Sequence, residues 1–511
     1  TTEIYTLSLH DALPIYLGLF ERLRRMGILA VPINMLPVEH EDTVCCLPWG
    51  LSAAIFRAAG GQKTAGFYPL VTSNFGCALD AFTARQLESQ LVSRPHLMVE
   101  FDEHRAEAGL ITRLEAFIDQ LESSAAHRSP RVARLTKPDS PAIIPDLQER
   151  VFMPYWSDYV FAYAGIWEFH GYKVEILPMP DQKVRILGEK FSMGKECSPY
   201  SMIVGDLLRL HEENSDFRRV YHFPSVAFPC LLNQYGNSII ALMADLQIKN
   251  LRLSSLNGVE LAQAFGMSSM QLLYEGLLAI DILVKAACEI RPYEKVPGMI
   301  SELHRLNLLK IREGIKQGNV VPALNAALES LASVPVDRSQ SRPLIGVAGD
   351  LYTKVNEVAN NNLFLWLESQ GFEVWPSPSQ IDLLDCGITS AFLQSLSTFE
   401  LRKIIAAGTA AFRAMLGAWR IKNAAGSRVA HLQEPGYREM LDLARPYMHN
   451  GQYELLLVNI AKIVDYCKNG AAGVINAICL NCMVGNASAA IIEKIRRDHP
   501  EVPIVTAVFS G

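Results

Sequence analysis

The sequence has no run of about 18 uncharged apolar residues, the length a helix needs to cross a bilayer, so no helical membrane span is expected. It has little excess of either charge: 47 Lys and Arg stand against 53 Asp and Glu, a formal net charge of −6 over 511 residues. That balance gives no bulk electrostatic pull toward nucleic acid or an anionic membrane, and neither is expected as a partner. Ten cysteines are too few for a disulfide-stapled secreted scaffold and no secretory leader is visible, so a reducing, cytoplasmic setting is the expectation. Composition also excludes collagen, a coiled-coil chain and wholesale disorder. A phosphate-binding loop is missing too. Gly188 and Gly194 before Lys195 enclose five residues where that motif has four, and Glu196 stands where Ser or Thr would hold magnesium. ATP hydrolysis by this chain is therefore not expected. What remains is a chain 50% hydrophobic, long enough for about three to four globular domains.

The two ends read differently from the rest. Residues 1–15 (TTEIYTLSLHDALPI) match, residue for residue, one translated frame of a widely used sequencing adapter. They are set aside as an artefact, and His10 and Asp11 with them. Phe509-Ser510-Gly511 stops directly after a strand-like run. The expectation is a fragment, truncated at its C-terminal end.

Two repeats organise what lies between. The first is a helix, a glycine, an apolar strand and a proline: residues 19–26, Gly27, 28–31 and Pro32; then 159–170, Gly171, 174–177 and Pro178; then 363–370, Gly371, 372–375 and Pro376. Glycine past a helix supplies the left-handed C′ residue, and proline ends a strand. Apolar runs at 151–153 and 344–347 precede the second and third copies, making strand–helix–strand units of a parallel sheet. The first copy lacks its leading strand, where the adapter sequence stands.

The second repeat pairs residues 71–101 with 474–509. Each has an apolar strand ending at a cysteine (Cys77, Cys482), a helix (81–91, 487–497), a proline (Pro95, Pro503) and another strand (97–101, 504–509). Cys77 lies 24 positions before Phe101, and Cys482 lies 27 before Phe509. Long helical periods at 270–288, 299–316 and 321–331 read as a helical bridge. The fold class is therefore α/β, with tandem Rossmann-like or flavodoxin-like lobes, parallel sheets and a helical bridge. The expected divisions are the rear portion of a first α/β unit at 16–122, a Ser-, Pro- and Arg-rich linker at 123–146, a lobe at 147–257, the bridge at 258–340 and a second lobe at 341–511.

Three cysteines sit where strand ends meet helix starts, the rim at which parallel sheets bind ligands. Cys197 precedes a Pro-led helix (200–210), Cys230 follows an apolar strand, and Cys482 follows another. A helix N-terminus lowers a thiol pKa, so thiolates suited to metal are expected there. Cys45, Cys288, Cys386 and Cys467 lie in apolar runs and read as core residues. Cys46 shares with Cys197 a Cys-x-Pro pattern and is a weaker candidate. Cys479 and Cys482 form a single C-x-x-C, weak evidence for zinc without a second pair and poorly placed for thioredoxin-like chemistry. Asp102-Glu103-His104 could act as an acid/base or ligand set, but reads first as a polar strand-to-helix turn. Gln234 and Tyr235, just past Cys230, could hydrogen-bond a cluster sulfur or a substrate, or serve only capping and packing.

Taken in order, Gly194-Lys195-Glu196-Cys197-Ser198-Pro199, Pro229-Cys230 with Asn233-Gln234-Tyr235, and Cys482-Met483-Val484-Gly485 resemble the motifs of the 2-hydroxyacyl-CoA dehydratase and benzoyl-CoA reductase component family. The likeness is greatest to the C-terminal part of the large acyl-CoA dehydratase activase-related proteins of anaerobic bacteria. Gly349-Asp350-Leu351-Tyr352 with Asn360 to Asn362, and Asn74-Phe75-Gly76-Cys77 with Asp102 to His104 and Thr112 to Phe117, extend it over nearly all of residues 16–511. The resemblance implies an iron–sulfur cluster, [4Fe-4S] or double-cubane, held by Cys197, Cys230 and Cys482, with Cys77 as the matching ligand of the first unit. It implies low-potential one-electron reduction of a CoA thioester, a radical dehydration by a lyase or a reduction, with electrons from a separate ATP-hydrolysing activase. Three protein thiolates on a four-iron cluster would leave one iron open. The pattern departs at Phe228, where the family has glycine, at Val484, where it has proline, and at Ala78-Leu79-Asp80, where it has Gly-Pro-Asp. These changes alter the loops around the cysteines and put retention of any one substrate in doubt more than cluster binding. Two other readings stand beside this one: a non-catalytic cluster or binding module associated with an activase, and a cluster-free α/β binding protein whose cysteines are structural.

Overall fold

The computed structural model describes residues 3–8, 18–36, 49–61, 67–91, 94–101, 107–125, 142–213, 218–226, 228, 230–449 and 453–510. Cys45, Cys46, the Asp102–His104 trio and most of the expected linker lie outside these. The chain forms two compact units. The first comprises 1–140, 192–196 and 229–246; the second comprises 141–191, 197–228 and 247–511.

The elements run β1 (Glu3–Ser8), α1 (Leu19–Arg25), β2 (Leu29–Pro32), α2 (Gly50–Gly61), β3 (Phe67–Asn74), α3 (Ala78–Gln90), β4 (Leu97–Phe101) and α4 (Glu107–Ala125). Then come β5 (Arg150–Met153), α5 (Val160–Phe169), β6 (Lys173–Ile176), α6 (Gln182–Glu189), α7 (Pro199–Glu212), β7 (Arg219–Pro224), α8 (Leu232–Asp245) and β8 (Leu251–Leu256). Three helices follow, α9 (Gly258–Ile290), α10 (Met299–Lys316) and α11 (Val321–Ala332). The last set is β9 (Leu344–Gly349), α12 (Leu363–Ser369), β10 (Glu373–Pro376), α13 (Ile381–Thr398), α14 (Leu401–Ala425), α15 (Tyr437–Ala444), α16 (Glu454–Lys468), β11 (Gly473–Cys479), α17 (Met483–Asp498) and β12 (Ile504–Phe509).

Three four-stranded sheets result, ordered β2-β1-β3-β4, β6-β5-β7-β8 and β10-β9-β11-β12. Every pairing in them is parallel. The same 2-1-3-4 order recurs each time, the start of the flavodoxin-like order, which puts a switch point between the first and third strands of each sheet. The α/β class with parallel sheets therefore holds. The helix–glycine–strand repeat holds in its details: Gly27, Gly171 and Gly371 adopt φ of 78°, 86° and 91°, the left-handed turn that lets a helix end on a strand. The helices expected at 258–340 are α9 to α11, although α9 breaks at Gly266, whose φ of 80° and ψ of 162° are not helical.

Two expectations are revised. The place of the leading strand in the first copy is filled by Glu3–Ser8, which pairs with β2 and β3; a stretch with Ile, Tyr and Thr suits a ladder whatever its origin. The lobe expected at 147–257 gives up residues 192–196 and 229–246 to the first unit. The cause is side-chain contact. Tyr235 of α8 stacks on Phe82 of α3 at 5.9 Å, Gln86 donates to Gln234 at 3.3 Å, and Lys195 pairs with Glu100 at 2.7 Å.

In the second unit, α16 packs Leu457, Ile460, Val464 and Tyr466 into a core with Val474 and Ile504. Cys386 and Cys467 lie in this core and Cys288 in the one beneath α12, as expected of cysteines in apolar runs. Among the described residues, no helix is long and apolar enough to cross a membrane.

One backbone position fixes the end of β9. Gly349 has φ 145°, and a Cβ there would lie 1.8 Å from the carbonyl oxygen of Ala477 on β11. No side chain fits, because the obstacle is backbone. Gly349→Ala is expected to lower unfolding stability by about 3 kcal/mol or more, measured by urea denaturation. Gly387→Ala on α13, where a Cβ meets nothing within 4 Å, is expected to change it by less than about 1 kcal/mol, on the stabilising side.

Candidate metal centre

The ends of β9 and β11 are neighbours, with Gly349 paired to Ala477. Past Gly349, the Asp350 amide donates to the Ala477 carbonyl at 3.1 Å, turning the Asp350 side chain across to the other strand. Its carboxylate then accepts three backbone N–H bonds: from Cys479 at 2.7 Å, Tyr352 at 2.8 Å and Thr353 at 2.7 Å. A short acceptor side chain just after a strand commonly caps the following turn in this way. Here it also clamps the start of the C-x-x-C.

That motif closes on itself. The Cys482 amide donates to the Cys479 carbonyl at 3.2 Å, and Asn481 takes the left-handed conformation, φ 62°, that the third residue of such a turn needs. The two sulfurs and a carboxylate oxygen of Asp350 lie within 4.8 Å of one another. Among the described residues this is the one group of three such donor side chains close enough to share a metal ion. Cys197, just ahead of α7 and 6% exposed, joins it through a hydrogen bond with the Cys479 thiol. Three soft thiols with a carboxylate behind them suit zinc, copper(I) or an iron–sulfur group, whereas hard ions prefer oxygen.

The electrostatics overturn one expectation. The Cys482 thiol, at the start of α17, is raised and not lowered. Hydrogen bonding with Cys197 and burial, with the Asp350 charge, hold Cys479 well above the usual thiol range. Hydrogen bonding to Cys479, burial and the same carboxylate do so for Cys482. The partial positive charge of a helix end, about half a unit, is outweighed by burial beside a carboxylate. A bound cation reverses that sign, since it stabilises thiolate directly.

The first unit carries the same turn. Asn74-Phe75-Gly76-Cys77 closes with the Cys77 amide on the Asn74 carbonyl at 3.2 Å, and Gly76 has φ 71°. The Phe75 amide reaches the Phe101 carbonyl at 2.8 Å, as the Leu480 amide reaches that of Phe509 at 2.8 Å. Asp80 accepts from the Asn74 amide at 3.0 Å, standing in for Asp350. Burial, then the Asp80 charge, pushes the Cys77 thiol up to about 11. The repeat of 71–101 in 474–509 thus extends to individual hydrogen bonds.

Of the expected ligands, Cys197 and Cys482 belong to the second unit, and Cys230 and Cys77 to the first. Gln234 and Tyr235 also belong to the first, where their side chains pack α8 on α3. The residues that sequence reasoning passed over are Asp350 and Cys479. Their signal was a lone C-x-x-C and a Gly-Asp at two strand ends, and only the β9–β11 pairing joins them.

Beside this turn lies a buried charged network. Lys354, with its side chain enclosed, donates to Ser377 Oγ at 2.9 Å and the Pro378 carbonyl at 2.6 Å. It lines a cleft with Gly349, Ser379, Asn459 and Lys462. Burial raises Asp281 to about 6 and Asp382 to about 8, and each keeps one carboxylate oxygen without a hydrogen-bond partner. Glu434 bridges Lys285 and Lys462. Asp382 therefore holds a proton at neutral pH, within reach of the Lys354 and Lys462 fields.

No family model matches this chain, and no curated protein matches it.

Two outcomes follow from this geometry. Titrating the reduced chain with cadmium under argon is expected to give a thiolate-to-metal charge-transfer band and to release about two or more protons per ion at pH 7. Cys482→Ser should weaken that binding more than about 100-fold and Asp350→Asn about 10-fold. In the second outcome, Asp382 keeps its proton in the folded chain from its ordinary 3.8 up to about 8, while the unfolded chain releases it. Its contribution to stability is therefore present at low pH and is lost as pH rises through that interval. Asp382→Asn should flatten the decline in melting temperature between pH 4 and pH 8.

Proposed function

We propose that the thiol group of the second unit holds an iron–sulfur cluster, and that the chain is a component of a 2-hydroxyacyl-CoA dehydratase or benzoyl-CoA reductase type system. The observation that carries this reading is the group of Cys479, Cys482 and Asp350 at the β9–β11 switch point, with Cys197 hydrogen-bonded to Cys479. Sulfur-rich, buried and clamped by a carboxylate, the donor set fits such a cluster, for which cysteine thiolates are the standard ligands. Cys479 enters the ligand set beside the two second-unit cysteines that the family motifs single out. When bound, the cluster supplies a single low-potential electron to the carbonyl of a CoA thioester, drawn from a separate ATP-hydrolysing activase.

The chain's own contribution is positional and protonic. Asp350 holds the Cys479–Cys482 turn in one conformation through its three N–H bonds. Asp382, raised by burial, keeps an exchangeable proton near Lys354, and reductive chemistry consumes protons as well as electrons.

The test is anaerobic purification of the chain followed by iron, sulfide and visible-absorption assays. About four irons and four sulfides per chain, lost in Cys197→Ala, Cys479→Ala and Cys482→Ala, is the expected result. Reductive turnover of an acyl-CoA with an activase and ATP supports the enzyme. A cluster without turnover supports instead the non-catalytic, activase-associated module. A folded, iron-free chain after reconstitution overturns the cluster altogether.

A further inference from the structure

The α13–α14 hairpin presents an apolar face that none of the described residues of the second unit covers. Leu401, Ile405, Phe412, Met415 and Trp419 are 69, 60, 59, 63 and 63% exposed, and Leu393 and Leu396 of α13 extend the patch. At the tip Phe399 is 88% exposed, with φ 55°, a left-handed conformation costly for a bulky residue. Monomeric surfaces rarely expose contiguous apolar area of this extent.

The stripe is not a misplaced core face. The opposite side of α14 is the packed one: Ala414, Gly417, Ile421 and Ala425 are buried. Arg413 reaches Gln271 at 3.2 Å and Arg420 reaches Glu275 at 2.8 Å, both on α9. The exposed positions follow one another at intervals of four, seven, three and four residues. That is the 3.5-residue seam by which one helix packs on another.

We infer that this face joins two copies of the chain, hairpin against hairpin, in an isologous dimer. Two observations select a second copy as the occupant. The first is area. The exposed side chains amount to about 1,000 Å² per chain and so about 2,000 Å² in a pair, within the range of stable specific interfaces. The second is charge. The seam positions carry none, and of the neighbouring cations Lys403 is answered by Glu400 at 2.8 Å and Arg420 by Glu275. The seam itself therefore meets its like without charge repulsion, and an uncharged stripe calls for no acidic partner. The same patch on both copies is what a twofold axis requires.

Sedimentation velocity of the full chain across a concentration series tests this. The expected result is a dimer at micromolar concentration. Phe412→Glu and Trp419→Glu should each raise the dissociation constant by about thirtyfold or more. Because both positions are exposed, circular dichroism should stay unchanged and melting should fall only by the stabilisation that the dimer itself supplies; Leu401→Glu, at the far end of the stripe, serves as a further variant if either fails to fold. A chain that stays monomeric at tens of micromolar overturns the inference, and so does a dimer indifferent to all three substitutions. A monomer that co-sediments with phosphatidylglycerol vesicles through these residues overturns it in favour of a lipid surface.

Discussion

The carboxylate of Asp350 ties together two strand ends that are more than a hundred residues apart in sequence. By accepting N–H bonds from Tyr352, Thr353 and Cys479, it caps the turn after β9 and fixes the first residue of the turn after β11. The cost of leaving three amide donors unpaired, two of them in buried bonds, holds the arrangement in one conformation. Gly349 makes the approach possible, since any side chain there would strike the Ala477 carbonyl. The sulfur positions follow from these backbone constraints more than from contacts among the sulfurs themselves.

The same carboxylate sets the chemistry of the group it positions. Hydrogen bonding among the thiols, burial and then the carboxylate's charge hold both thiols above their usual range, so the metal-free turn is a poor nucleophile and a reluctant donor. Introducing a cation makes the carboxylate an asset, because it offsets positive charge that burial would otherwise penalise. The first unit repeats the turn with Asp80 in the clamping role and one cysteine instead of two. Asp350 reaches its turn from the neighbouring strand, whereas Asp80 reaches its own from the helix that follows. Two copies of one fold thus arrive at the same hydrogen-bond pattern from different sequence positions.

Much of the architecture was legible in residue order. Gly27, Gly171 and Gly371 marked helix ends because only a left-handed residue lets the chain turn onto the next strand. The 71–101 and 474–509 repeat was visible because strands and caps recur at nearly fixed spacing. What sequence could not convey was adjacency. Cys479 looked like half of an incomplete zinc motif, since its partners, Cys197 and Asp350, come from a different helix and a different strand. Helix starts suggested lowered thiol pKa values, but burial and a carboxylate decide the sign, and both are properties of the folded chain. Residues 229–246 read as part of the 147–257 lobe because they follow β7 directly; Phe82 and Gln86 of α3 draw them elsewhere.

The central claim is that Cys197, Cys479 and Cys482 together ligate a metal–sulfur group. Iron K-edge X-ray absorption on the anaerobically purified chain, alongside Cys479→Ser, addresses it most directly. The expected spectrum has a first shell made of sulfur with an iron–iron shell beyond it, and an oxygen contribution appears in the variant. A first shell of oxygen and nitrogen in the unaltered chain, or a sulfur shell unchanged by Cys479→Ser, would contradict it.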